Sequence, residues 1–104
     1  MTPALAAPDP AIFPADVRAF AAERGVTEYL ALLYDLAKRC FAGADVTVRL
    51  EEDAEVAHYR WIVYEVDTAG RTAEQIFDAH LRYTTALVEM CPPAVSECFA
   101  LGMR

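Results

Sequence analysis

Two histidines, three cysteines, a single serine and a clustered run of carboxylates are the side chains with the widest chemical reach in this 104-residue chain. His80 comes first. A general acid or base must titrate near neutrality, be oriented by a partner and face a cleft. His80 falls at helical spacing with Ile76, Phe77, Tyr83, Thr84, Leu87, Val88 and Cys91, so the pattern predicts a buried position beside Tyr83. His80 and Tyr83 are then either the polar groups of an otherwise apolar pocket or a core pair in which the ring nitrogens bond a tyrosine or the backbone.

His58 follows the acidic run Glu51, Glu52, Asp53 and Glu55, where a cation site is conceivable. The run lacks the glycine and the alternating ligands of a calcium loop, and a solvated turn accounts for it. Zinc would have to draw on Cys40, Cys91, Cys98, His58 and His80, whose spacing fits no familiar ligand set. Cys91 ends a helix, where the dipole raises rather than lowers a thiol pKa. Cys40 and Cys98 read as small core residues. Ser96 has no nucleophile-elbow context, and glycines at 25, 43, 70 and 102 build no phosphate loop. No catalytic residue, metal or cofactor is expected.

Tyr59 and Trp61 are the stronger candidates for contact. Aromatic side chains with a polar tip bury much area at interfaces. Both belong to the run Tyr59-Arg60-Trp61-Ile62-Val63-Tyr64-Glu65-Val66, which is rich in β-branched and aromatic residues and reads as a strand over 59–67. Side chains alternate, so Ile62, Tyr64 and Val66 share one face while Tyr59, Trp61 and Val63 share the other. The segment 45–51 alternates Val46, Val48 and Leu50 against Thr47, Arg49 and Glu51, and an antiparallel hairpin is the simplest topology. Pairing Leu50 with Ile62, Val48 with Tyr64 and Val46 with Val66 completes one apolar face and sets Glu52 opposite Arg60. A slip would instead match Val46, Val48 and Leu50 to the Tyr59, Trp61 and Val63 face. The first register is preferred because such slips set Arg49 opposite Arg60 or tighten the turn. The Trp61 face is left for a helix, a second subunit or a ligand to cover.

Helices are predicted over 14–24, 28–42, 72–91 and 94–101. Thr27 is the expected cap of the second, and Thr72-Ala73-Glu74-Gln75 is a capping box at the start of the third. Asp35 with Lys38 or Arg39, and Asp78 with Arg82, have ion-pair spacing. Residues 1–12, with Pro3, Pro8 and Pro10, read as an extended arm before a single domain over 13–104. The expected fold class is α+β, two layers in the order ααββαα, with a β-hairpin packed against helices.

Composition narrows the function. The net charge is −7, and the nine basic residues are scattered, which disfavours nucleic acid and anionic membranes. Three cysteines without a paired motif suit a reducing cytoplasm. The N-terminus lacks a basic n-region and is broken by proline, so no signal peptide is expected. These features predict a small acidic cytoplasmic protein-interaction module, a homodimer or the partner of another protein, with Trp61 carrying the assembly. One alternative is a small-molecule-binding protein or small enzyme with a pocket at His80 and Tyr83, between the 72–91 helix and the sheet. Another is an inhibitor or immunity-like protein that offers its acidic turn to a basic partner.

Overall fold

In the computed structural model, which describes residues 9–104, four helices and three strands follow in the order α1 Ala15–Arg24, α2 Tyr29–Cys40, β1 Val46–Glu52, β2 Arg60–Val66, α3 Ala73–Met90, α4 Pro93–Ser96 and β3 Phe99–Met103. The class is α+β, as the sequence pattern indicates. Most of the expected arm, residues 1–8, lies outside the described residues. Residues after it form a turn in which the Asp9 carbonyl accepts from the Ile12 and Phe13 amides.

Alternating apolarity sets the hairpin. β1 and β2 pair antiparallel with Val46 opposite Val66, Val48 opposite Tyr64, Leu50 opposite Ile62 and Glu52 opposite Arg60. This is the register that the sequence favours, because slips onto the Trp61 face of β2 set Arg49 opposite Arg60 or tighten the turn. The sheet has a third member. β3 lies parallel to β2, with Ile62 opposite Phe99 and Tyr64 opposite Leu101, so the strand order is β1-β2-β3. The helix expected over 94–101 is therefore corrected to one short turn, α4, followed by a strand. β2 offers a free edge to the alternating Phe99 and Leu101, and that long-range pairing overrides the local helical pattern. α3 makes the crossover that a parallel pair requires. β2 is apolar on both faces because it is the central strand.

The inner face of the sheet meets α1, α2 and α3. Ile62, Tyr64, Val66, Val46 and Val48 join Val17, Phe20, Leu30, Leu33, Ala79 and Tyr83 in one core. Tyr64 is fully buried, and its hydroxyl donates to the Leu30 carbonyl at 2.8 Å, which satisfies the one polar atom it brings inside. Burial pushes the Tyr64 phenol far above its ordinary pKa.

Local signals fare unevenly. The capping box of α3 forms in full, with the Gln75 amide on Thr72 Oγ1 at 3.1 Å and the Thr72 amide on Gln75 Oε1 at 2.9 Å. α2 has Glu28 at its cap position and no side-chain cap bond, so Thr27 does not cap it. Neither i,i+4-type ion pair forms among the described residues. Lys38 instead donates to the Ala44 carbonyl and Arg82 to the Cys40 carbonyl, each tying a loop or helix end that lacks a backbone partner. No helix of the described residues is long and apolar enough to cross a membrane.

Candidate functional site

α3 is apolar around far more of its circumference than the domain covers. Ala79, Tyr83, Ala86, Leu87 and Met90 face the core, with Ala79 and Tyr83 buried. Phe77, Leu81 and Val88 point outward and are 66%, 53% and 71% exposed. Thr84 and His80, also exposed, complete the outward stripe. Glu74, Asp78, Arg82, Thr85 and Glu89 occupy the remaining arc, so no charged side chain interrupts the stripe. At the N-terminal end of the helix the stripe runs into an open groove of about 350 Å³, lined by Ala73, Ile76, Phe77, His80 and Met103.

The expectation that His80 and Tyr83 share a buried face is overturned. Counting about 100° per residue, the face of α3 that packs is turned roughly 70° from the face the large apolar residues suggest. Ala79 is the reason. Its small side chain lets the helix approach the core closely, which pulls Tyr83 inward and swings His80 out. Tyr83 is 2% exposed, and burial raises its phenol well above the usual range. His80 lines the groove and Tyr83 does not, so the two do not form a joint polar site. The spacing of Ala79, Tyr83, Ala86, Leu87 and Met90 does not stand out in the sequence, because alanine carries too little hydrophobicity to weigh in a pattern of large side chains.

Tyr59 and Trp61 lie on the outer sheet face, which no helix of the described residues covers. Their rings meet at 5.4 Å between centroids and 54° between planes, with Tyr59 exposed and Trp61 half-buried. Beside them Arg49 Nε meets Glu51 Oε2 at 2.9 Å, Arg49 Nη1 also binds Glu65 Oε2, and Arg104 Nε stands 3.8 Å from Glu65 Oε1. Val63, beneath this network, is only 5% exposed. Gly102 approaches so closely that a Cβ there would stand 3.2 Å from Val63 Cγ1. The sheet face thus satisfies most of its own groups.

The other candidate chemistry resolves into structure. Asp53 Oδ1 accepts from the Glu55 and Val56 amides at 2.8 and 3.0 Å, and those bonds hold its carboxyl below the ordinary range. Glu52 accepts from the amide of His58, which stands in the left-handed region at φ 67°. These two carboxylates shape the turn from within. Among the described residues no group of three or more His, Cys, Asp or Glu is arranged to hold a metal. Cys40, Cys91 and Cys98 are free thiols, and burial raises the pKa of Cys91 and Cys98. Ser96 Oγ donates to the Pro93 carbonyl within its own helical turn.

Comparison of the chain with family models, with curated proteins and with solved structures returns no match.

Proposed function

We propose that this chain is a small acidic protein-interaction module that assembles as a homodimer and docks through the outward face of α3. One observation carries the reading: an uncharged stripe of Phe77, Leu81, Thr84 and Val88 stands in water on the longest helix of the fold. With Met103 it exposes on the order of 500 Å², within the size range where the largest patch of a monomer is commonly functional. Exposing that much apolar side chain is unfavourable at about 25 cal/mol per Å², a cost that docking removes. Three unpaired cysteines support a reducing, cytoplasmic setting. The net charge of −7 supports a protein partner over nucleic acid or an anionic membrane.

The groove at His80 supports a second reading, an apolar small molecule held against Phe77 and Met103 with the imidazole as its polar contact. Native mass spectrometry of the protein isolated from its own cells separates the two. A dimer of the chain is the expected result, and a defined complex with another protein in its place overturns the homodimer. A monomer carrying small-molecule mass overturns the interaction reading in favour of the groove.

A further inference from the structure

The exposed stripe of α3 is arranged about its own midpoint. Phe77 and Val88 lie equally far from a point between Arg82 and Tyr83, and so do Leu81 and Thr84. A two-fold axis through that point would set a second α3 antiparallel to the first, with Phe77 against Val88 of the second copy and Leu81 against Thr84 of the second copy. Resting on the dimer reading above, we infer that the occupant of this face is a second copy of the chain in that antiparallel register. In it, Val88 of each copy covers the Phe77 end of the other's groove.

Size and area favour this occupant. Each contact sets a larger side chain against a smaller one, which lets the two surfaces interdigitate at native density. A parallel pair would oppose Phe77 with Phe77 and Thr84 with Thr84, crowding one end and leaving a gap nearer the other. Antiparallel helices also oppose their macrodipoles. The stripe itself carries no charge, and Glu74, Asp78 and Glu89 lie along one flank of it together with Arg82. An exposed apolar area on the order of 500 Å² supplies most of the roughly 800 Å² per partner of a standard interface, and the exposed His80 adds to it.

Reciprocal charge substitution tests the register. Phe77→Lys and Val88→Glu change side chains that are 66% and 71% exposed, so neither is needed for the fold, and circular dichroism checks this. Each variant alone is expected to weaken self-association at least about tenfold, because its new charge meets apolar surface. An equimolar mixture is expected to recover a heterodimer that neither gives alone, since the antiparallel register sets the two new charges side by side. In a parallel pair they would be about 16 Å apart along the axis, at 1.5 Å per residue, and would not meet. Both variants weakening the dimer without recovery on mixing overturns the antiparallel register and leaves the α3 face standing. A dimer indifferent to either variant overturns the face. A wild-type chain that stays monomeric at tens of micromolar overturns both readings, with or without a small molecule bound.

Discussion

The outer face of the sheet and the outer face of α3 are both uncovered, and both carry large side chains. They differ in how far their neighbours complete them. Around Trp61 the sheet supplies Tyr59 for the ring and a chain of ion pairs from Arg49 through Glu65 to Arg104. Around Leu81 the helix supplies only Phe77, Thr84 and Val88, none of which pairs with a polar group. An aromatic residue on a sheet is therefore a weaker sign of an interface here than three aliphatic and aromatic side chains with no local partner. Exposure without compensation is what sets α3 apart.

The sharpest way to break this contrast is Leu81→Glu. A carboxylate at the centre of the stripe should cost assembly at least about a hundredfold, close to 3 kcal/mol, as for a central interface residue. Light scattering should then show a monomer whose far-ultraviolet circular dichroism matches the wild type. On the sheet side, Trp61→Ala should lower stability by about 1 to 2 kcal/mol through lost half-buried area while leaving assembly unchanged. Chemical denaturation together with light scattering reads both quantities. Dissociation by Trp61→Ala would move the interface to the sheet.

Arg49→Ala should have a smaller effect, within about 1 kcal/mol, because its pairs with Glu51 and Glu65 are largely solvent-exposed. Added salt should shrink the difference between variant and wild type in denaturation midpoints. The mildest effect should come from Asp53. Its folded pKa is depressed by the Glu55 and Val56 amides, so the stabilisation it provides is present above its unfolded pKa and is lost as pH falls through the folded one. Asp53→Ala should accordingly melt earlier than the wild type at neutral pH, and the two melting curves should converge in acid.

The two faces were unequally legible in the sequence. Apolar alternation left two registers open, because β2 is apolar on both faces. The opposition of Arg49 to Arg60 and the tightness of the turn chose between them, and the chosen pairing is observed. The capping box at Thr72 was readable because its two bonds are local. β3 was not, since a short apolar run after two prolines suits a helix or a strand equally and its parallel partner lies beyond a whole helix. Nor was the rotation of α3, which is set by how closely Ala79 lets the helix approach the core. That rotation carried His80 to the surface and, with it, Phe77 and Val88. The candidate interface thus arises from a tertiary choice that periodicity alone does not contain.

Sedimentation equilibrium of the purified wild-type chain beside Leu81→Glu tests the central claim most directly. The account predicts a species of twice the chain mass for the wild type and of single chain mass for the variant. A wild-type monomer across the micromolar range, or a variant that still dimerises, would contradict it.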